Sequence, residues 1–261
     1  MGLLKQNERR GKMGRKWKAL LIAVIIVAIS GSVFIYQHLK KGDQVQEVDH
    51  IEDLGGKYNA SITVYKGSSS LAGRTYHYGE INYLKDGKNH SGYYSPEYKD
   101  AFDWMRTNTP ENATILCWWD YGHMVIGYAE RKTVVANPSP QTLYMVANSS
   151  LVKEFSNHEM LVDVADSFTT SDPNRTISIM ERYGADYILV TDSEKVKAPW
   201  IFNVSGLDSR QYLTPSEFTE EDFTGDGKTT MIYRLLFKVE VPGSLQLVYE
   251  DDYLRIYKRV E

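Results

Sequence analysis

Cysteine is almost absent from this chain of 261 residues, which contains only Cys117. An intramolecular disulfide is therefore excluded, and the stability of the fold must come from its hydrophobic core. Because Cys117 stands on a short apolar run and the sequence indicates no base beside it, we expect a buried side chain and not a nucleophile.

Basic charge is scarce after the first 18 residues. Residues 19–261 carry 23 Lys and Arg against 33 Asp and Glu, a net charge of −10 with histidine neutral. An acidic domain lacks the basic surface that binding to a phosphate backbone requires. The composition therefore excludes a nucleic-acid-binding protein.

Long hydrophobic runs are also scarce, with one exception near the N-terminus. Residues 19–36 read ALLIAVIIVAISGSVFIY, long enough to cross a bilayer. Residues 1–18 hold seven basic side chains and one acid, and the positive-inside rule places this tail in the cytoplasm and the rest outside. A cleaved signal peptide is the alternative, since Ser30-Gly31-Ser32 offers small residues. The apolar run continues past them, which favours a single-pass anchor in the cell membrane.

The common catalytic and metal-binding motifs are missing. The chain has no G-x-S-x-G turn and no glycine-rich phosphate loop. Neither Asp120 with His123 nor His158 with Glu159 has the spacing of a recognised ligand set. Residues 222–228 look like a calcium loop but lack its ligand spacing and terminal Glu, so we predict a turn there. The sequence therefore predicts no metal or cofactor site within this chain.

The sequence does contain one run of five informative residues, Trp118-Trp119-Asp120-Tyr121-Gly122. An indole N–H only donates a hydrogen bond and an ionised carboxylate only accepts one, whereas a Ser or Thr hydroxyl does both. Two Trp donors and one Asp acceptor therefore satisfy one bound hydroxyl completely. Plain core packing is the alternative for a pair of tryptophans taken alone.

These five residues resemble the WWDYG signature of the catalytic subunit of oligosaccharyltransferases, membrane enzymes that glycosylate Asn in N-x-Ser/Thr. The flanks agree: residues 101–110 and 113–116 are similar to the family's helix, N-T-P turn and strand before the motif. Downstream, Gly127, Glu130, Arg131 and residues 136–138 resemble the archaeal form. The resemblance implies that residues 118–122 hold the Ser or Thr of the acceptor and that the protein is archaeal.

The family has a second motif, a short helix of form D-x-x-K-x-x-x-M (or Ile) that packs beside the hydroxyl site. Two frames of the sequence fit it in part: Asp192 with Lys195, and Glu194 with Lys197 and Ile201. Positions i, i+3 and i+7 share one face of a helix, which favours the second frame. Pro199 would remove a hydrogen-bond donor from that helix, so a solvated charge cluster is the alternative.

The family's catalytic subunit also has a polytopic membrane region whose acidic loops bind the metal, and only one span is predicted here. We therefore expect a domain that binds N-x-Ser/Thr segments and is not catalytic alone. A divalent metal, Mg²⁺ or Mn²⁺, is expected only with a polytopic oligosaccharyltransferase partner. Two alternatives remain: a split catalytic-subunit fragment that needs such a partner, and a non-enzymatic surface glycoprotein that keeps the fold.

Acceptor sequons are abundant in the chain itself, since six of its 11 asparagines begin an N-x-Ser/Thr motif although Ser and Thr make up only 36 of 261 residues. This excess favours a glycosylated extracytoplasmic domain. The candidate glycosylation sites are Asn59, Asn89, Asn112, Asn148, Asn174 and Asn203.

The hydrophobic pattern predicts a mixed α/β (α+β) fold with a helical centre around WWDYG and flanking antiparallel strands. The predicted organisation is a basic tail (1–18), an anchor (19–36), a stalk and β-rich segment (37–94) and an oligosaccharyltransferase-like domain (95–261). Helices are predicted over 98–107, 121–129, 143–160 and 175–183. Strands are predicted over 62–65, 75–78, 114–117, 186–190, 230–237, 245–249 and 253–257, the last three as an antiparallel set.

Overall fold

A computed structural model describes residues 47–69, 74–136, 156–214 and 222–260. The predicted tail and anchor lie outside these ranges, as do Asn148 and the first residues of the predicted stalk. Within the described ranges, no helix combines the length and the apolar character needed to cross a bilayer.

The first sheet is an antiparallel meander in which consecutive strands are neighbours. Along one strand, the buried residues Ala60, Ile62 and Val64 alternate with more exposed ones, the pattern of a sheet with one face in the core. The Asp-Gly pair at residues 86–87 predicts a turn, and that turn is confirmed. Both residues have positive φ, as a two-residue type I′ hairpin requires. The strands are β1 (Glu47–Gly55), β2 (Ala60–Ser69), β3 (Arg74–Lys85) and β4 (Lys88–Tyr94).

The second sheet is mixed, with strand order β6-β5-β7-β9-β8. Strand β5 runs parallel to both β6 and β7, whereas β9 runs antiparallel to β7 and β8. All five residues of β7 are buried, as expected for a strand covered on both faces. The strands are β5 (Thr114–Leu116), β6 (Lys132–Thr133), β7 (Tyr187–Thr191), β8 (Leu245–Glu250) and β9 (Leu254–Arg259).

Helices surround the second sheet and follow the predicted pattern in part. The helix predicted over 98–107 is α1, with Ala101, Phe102 and Met105 on its buried face. The helix predicted over 175–183 is α3, whereas most of the one predicted over 143–160 lies outside the described residues. The α-helices are α1 (Lys99–Asn108), α2 (Ser156–Thr169), α3 (Pro173–Arg182), α4 (Glu194–Val204), α5 (Ser209–Tyr212) and α6 (Met231–Phe237).

One predicted element is wrong, and a second is helical but with a different geometry from an α-helix. Residues 230–237 form the helix α6 and not a strand, so only β8 and β9 pair antiparallel at the end of the chain. Residues 121–129 do not form one α-helix: a 3₁₀ turn over Trp119–Tyr121 is followed by a π-helix over Met124–Tyr128. Because a π-helix is wider than an α-helix and is rare outside functional regions, this change of geometry sets the local shape around residues 118–122.

The π-helix also joins the two sheets. A Cβ on Gly127 would lie 2.5 Å from the Tyr83 ring of β3, so only glycine allows this approach. The ring of Tyr128 stacks on that of Tyr94 from β4, with centroids 6.0 Å apart. The buried side chains of both sheets form one continuous core, and the mixed α/β class is confirmed.

Candidate functional site

The candidate site lies at one edge of the second sheet, where two neighbouring parallel strands end. Residues 118–122 follow the carboxyl end of β5, and α4 follows the carboxyl end of β7. Since β5 and β7 pair in parallel, their carboxyl ends reach the same edge of the sheet. This edge is where open α/β sheets commonly bind ligands. The fold therefore brings together the two motifs that the sequence placed far apart.

The two tryptophans differ in exposure. Trp118 is buried, with a relative exposure of 4%, whereas Trp119 is only partly buried at the edge of the core. Their ring centroids lie 6.4 Å apart with the planes tilted by 51°. Among the residues that the structure describes, neither indole N–H has a hydrogen-bond acceptor. Within the described residues, both donors are therefore unpaired.

Asp120 lies beside a cation from the second motif. Its Oδ2 atom is 2.7 Å from Nζ of Lys197 on α4, and both side chains are about three-quarters buried. Within the described ranges, Lys197 is the one ionic or hydrogen-bonding partner of this carboxylate. As a carboxylate, Asp120 can only accept a hydrogen bond from a ligand.

The ammonium group of Lys197 is held from three sides. Besides Asp120, it donates to the hydroxyl of Tyr121 at 2.9 Å and lies over the Tyr121 ring, 4.4 Å from its centroid. Burial alone would lower the pKa of Lys197, but the carboxylates of Asp120 and Glu194 outweigh it and raise that pKa above its usual value. The amine is therefore charged at neutral pH.

Tyr121 is fully buried and does not face solvent. Its hydroxyl lies 2.7 Å from Oγ1 of Thr191, the last residue of β7. Burial raises the pKa of Tyr121 well above its usual value, so the phenol keeps its proton. Tyr121 therefore connects the two strand ends and does not itself present a polar group to a ligand.

Glu194 is buried as completely as Tyr121 and begins α4. Its Oε2 atom accepts hydrogen bonds from the backbone N–H and the hydroxyl of Thr191, while Oγ1 of Thr191 accepts from the N–H of Ser193. This reciprocal arrangement corresponds to a capping box, in which Ser or Thr is followed three residues later by Glu. Glu194 thus starts the helix that carries Lys197.

The two frames of the second motif differ in where the structure places their side chains. Ile201 is fully buried on α4, on the same side of the helix as Glu194. In the other frame, Lys195 and Asp192 pair with each other at 3.2 Å, and Asp192 also pairs with Arg255 of β9. The charges of that frame therefore pair with each other and with β9, and Lys195 is not the partner of Asp120. The helix continues through Pro199 despite the lost donor.

Gly122 has a packing role. A Cβ at this position would lie 2.5 Å from Cα of Ala136 and 2.9 Å from the carbonyl oxygen of Val135. Both contacts are backbone atoms, which cannot move aside as a flexible side chain does. The glycine thus allows the chain after β6 to pass close behind residues 118–122.

Three further predictions concern Cys117, metal binding and the sequon asparagines. Cys117 is buried, and burial raises the pKa of its thiol to about 12, which rules out a reactive thiolate at neutral pH. In the described part of the chain, no group of three or more His, Cys, Asp or Glu side chains is arranged to hold a metal. Within the described ranges, the sequon asparagines are exposed: Asn59, Asn89, Asn112, Asn174 and Asn203.

Comparison with known proteins gives relatives by sequence, although no family model matches the chain. The chain is 28% identical over 171 residues to dolichyl-diphosphooligosaccharide–protein glycosyltransferase subunit stt3 of Schizosaccharomyces pombe, covering 59% of this chain and 20% of that protein. It is 29% identical over 161 residues to subunit stt-3 of Caenorhabditis elegans, covering 55% and 18%. The chain is thus similar in sequence to STT3 subunits over somewhat more than half of its length. It spans about a fifth of the length of these relatives.

Solved structures show a weaker likeness. The C-terminal globular domain of oligosaccharyltransferase from Archaeoglobus fulgidus superposes with a TM-score of 0.48 at 18% identity, covering 64% of this chain and 99% of that one. The A. fulgidus enzyme tethered to an acceptor peptide with the NVT sequon gives a TM-score of 0.44 at 18% identity, covering 62% and 24%. The relationship to STT3 subunits therefore rests on the sequence relatives.

Sequence reasoning missed two residues of this site. Thr191 links Glu194 to Tyr121, and Tyr98 packs its ring edge-on against Tyr121 with its hydroxyl 2.8 Å from that of Ser193. The T-x-x-E pattern at 191–194 could have revealed the first, because it signals a helix start. No local sequence pattern indicates that Tyr98, in the turn before α1, belongs to the site.

Proposed function

We propose that this domain acts in protein N-glycosylation by binding the Ser or Thr hydroxyl of N-x-Ser/Thr acceptor segments. The observation that carries the proposal is the pairing of Asp120 with Lys197 next to two indole donors that the described residues leave unused. The homology to glycosyltransferase subunits supports the role in N-glycosylation.

The chemistry of the site suits a hydroxyl group. A bound Ser or Thr hydroxyl would accept from Trp118 or Trp119 and donate to Asp120, whose charge Lys197 compensates. An acceptor with Ala in that position would leave the indole donors without an acceptor, whereas Asp120 would keep Lys197. A buried donor left without an acceptor costs about 1–3 kcal/mol. The site would therefore discriminate against segments that lack the hydroxyl.

In this proposal, residues 118–120 contact the acceptor, whereas the buried Tyr121, Glu194 and Ile201 support them from behind. Transfer of the sugar is assigned to no residue of this chain. We also propose that the domain over 95–261 lies outside the cell, anchored by the segment over 19–36. A divalent metal and a polytopic oligosaccharyltransferase subunit would then be supplied by a partner.

One observation favours a second candidate function. The relatives are themselves subunits of a glycosyltransferase, and the chain matches about a fifth of their length. A catalytic-subunit fragment that completes an active site with a separate polytopic protein is consistent with that coverage. Restoration of glycosylation by co-expression with a polytopic subunit would identify this role.

The test is an NMR titration of the full chain in a mild detergent with a short Asn-Ala-Thr peptide. Asn-Ala-Ala and Gln-Ala-Thr peptides separate recognition of the hydroxyl from recognition of the amide. We expect shifts that require Thr, tolerate Gln in place of Asn and disappear in Trp119→Ala. The matched control is Trp104→Ala, which removes a partly buried tryptophan that packs on Tyr249 and should leave binding intact.

The absence of any Thr-dependent shift up to about 10 mM peptide, near the weak limit of useful recognition, would contradict the proposal. The surface-glycoprotein alternative would then be preferred. Equal shifts with Asn-Ala-Thr and Asn-Ala-Ala would show peptide binding without hydroxyl recognition, and this would also contradict it.

A further inference from the structure

A chain of hydrogen bonds runs from Lys197 into the protein and ends at a buried carboxylate. Nζ of Lys197 lies 2.9 Å from the hydroxyl of Tyr121, which lies 2.7 Å from Oγ1 of Thr191, which lies 2.7 Å from Oε2 of Glu194. Together they form a continuous path across the junction of β5 and β7.

The two ends of the path fix the direction of every hydrogen bond in it. An ammonium group only donates and an ionised carboxylate only accepts. Thr191 must therefore donate to Glu194, and Tyr121 must donate to Thr191 while it accepts from Lys197. Because hydrogen bonds in such a chain polarise one another, the charge on Glu194 affects the orientation of the Lys197 ammonium group.

We propose that Glu194 is a positioning residue for the acceptor site: through Thr191 and Tyr121, its charge orients the Lys197 ammonium group that holds Asp120. This inference rests on the proposed function, because it concerns how the same site is prepared. Glu194 does not touch the acceptor in this arrangement. A capping residue alone would need only its two bonds to Thr191.

Burial makes the charge of Glu194 sensitive to pH. Its side chain is fully enclosed, and within the described residues its Oε1 atom has no hydrogen-bond partner. Burial is the dominant influence and raises the pKa of Glu194 to about 7, against the opposing effect of Lys197 and of the hydrogen bonds from Thr191. The carboxyl group would then change its charge near neutral pH.

The groups that face Glu194 come from every element around it. Lys197 lies on its own helix, Thr191 ends β7, and Tyr121 belongs to the turn after β5. Tyr98 approaches from the turn before α1, with its hydroxyl 3.4 Å from Oγ1 of Thr191. Burial raises the pKa of both tyrosines, so Lys197 and Asp120 supply the neighbouring charges.

The decisive experiment uses Glu194→Gln in the full chain. The amide oxygen of Gln can still accept both hydrogen bonds from Thr191, so the helix cap survives while the charge is removed. The first readout is the side-chain NMR titration of Lys197 in the free protein. The second is the ratio of affinities for Asn-Ala-Thr and Asn-Ala-Ala between pH 6 and 8.

For the unmodified protein, we expect this affinity ratio to rise as Glu194 ionises, by about three- to ten-fold, the size of one hydrogen bond. In Glu194→Gln the ratio should be low and independent of pH, and the pKa of Lys197 should fall. Thr191→Val keeps the charge but breaks the path, so it should lower the ratio as well. The matched control, Asp192→Asn, removes a neighbouring carboxylate outside the path and should change neither readout.

Three results would overturn the inference. The first is a Glu194→Gln protein with the affinity ratio, pH dependence and Lys197 titration of the unmodified protein. The second is an unchanged affinity ratio in Thr191→Val. The third applies if the unmodified protein shows no Thr-dependent binding, a result by which the proposed function fails separately. In that case, an unchanged titration of Lys197 in Glu194→Gln overturns the inference. A lowered pKa of Lys197 in that variant supports it.

Discussion

Nζ of Lys197 lies 2.7 Å from Oδ2 of Asp120, although the two residues belong to separate motifs that follow separate strands. Each charged group needs the other as its counter-charge, because both side chains are largely removed from water. Neither motif is therefore complete without the parallel pairing of β5 and β7.

Replacing Lys197 by Met should destabilise the protein and weaken the binding of Asn-Ala-Thr. The change leaves Asp120 without its counter-charge in a largely buried position. We expect a loss of about 1–2 kcal/mol in the free energy of unfolding, between the values typical of surface pairs and of buried pairs. Urea denaturation and peptide titration measure the two effects.

The matched control for that variant is Lys195→Met on the same helix. Lys195 pairs with Asp192, which keeps a second partner in Arg255 after the change. We expect less than about 0.5 kcal/mol of destabilisation, as for ordinary surface substitutions, and normal peptide binding. Equal losses in the two variants would show that the Asp120 pair has no special role.

Gly122→Ala should destabilise the fold because the added methyl group meets backbone atoms of Val135 and Ala136. Overpacking of this kind costs about 1–3 kcal/mol. Gly225→Ala is the control, since no atom lies within 4 Å of a Cβ built there. Thermal unfolding of both variants gives the comparison, and a stability of Gly122→Ala equal to that of its control would refute the close approach.

His123 should make the protein lose stability in mild acid. Burial, with a smaller effect of His90, lowers its pKa from 6.5 to about 4, and its Nδ1 atom lies 3.0 Å from the Tyr83 hydroxyl. The unfolded chain takes up a proton near pH 6.5 and the folded chain does not until about pH 4. Stability is therefore complete above pH 6.5 and falls as the pH drops towards 4, by roughly 3 kcal/mol at most.

Urea denaturation between pH 7 and pH 4.5 measures this dependence. In His123→Gln the decline should be smaller, although the variant starts from a lower stability because the contact with Tyr83 changes. His50→Gln, at an exposed position of β1, should decline as the unmodified protein does. Parallel curves for the unmodified protein and His123→Gln would exclude His123 as the acid-sensitive group.

The sequons of the folded chain should differ as acceptors for an active oligosaccharyltransferase in vitro. Asn89 and Ser91 are both exposed on β4, at the edge of the first sheet. Asn174 is exposed as well, but the hydroxyl of its partner Thr176 is buried and donates to the carbonyl oxygen of Ser167. An enzyme that reads the hydroxyl should therefore modify Asn89 and leave Asn174 unmodified.

Peptide mapping by mass spectrometry measures the occupancy of each site. In denatured chain, where Thr176 is released, both asparagines should be modified to similar extents. Modification of Asn174 in the folded chain would mean that the first turn of α3 opens readily or that the hydroxyl is not read.

Local signals predicted much of the fold. The start of α1 and the Asp86-Gly87 turn depend on neighbouring residues alone, so the sequence was sufficient for them. The prediction of a strand over 230–237 was wrong because a short run rich in Ile, Tyr and Leu suits a strand or a buried helix equally well. In the structure this segment is buried on nearly all sides, and Tyr257 donates to the carbonyl oxygen of Leu235. These contacts favour the helix.

The candidate site was predictable in composition but not in arrangement. The helical spacing of Glu194, Lys197 and Ile201 selected the frame that the structure brings to Asp120. Spacing could not show that Glu194 faces inward, because that depends on Thr191 and on the way β7 enters α4. The π-helix after residues 118–122 was also beyond local reasoning, since it depends on the fit of Gly127 against Tyr83.

The parallel pairing of β5 and β7 has a consequence for the order of events during synthesis. Residues 118–122, which follow β5, leave the ribosome well before the helix that carries Lys197. Until that helix is made, Asp120 lacks the ammonium group that pairs with it, and the nascent chain cannot present the finished candidate site. Under the proposed function, a newly made copy of this protein, itself rich in sequons, would be unable to bind its own emerging segments before its second sheet has formed.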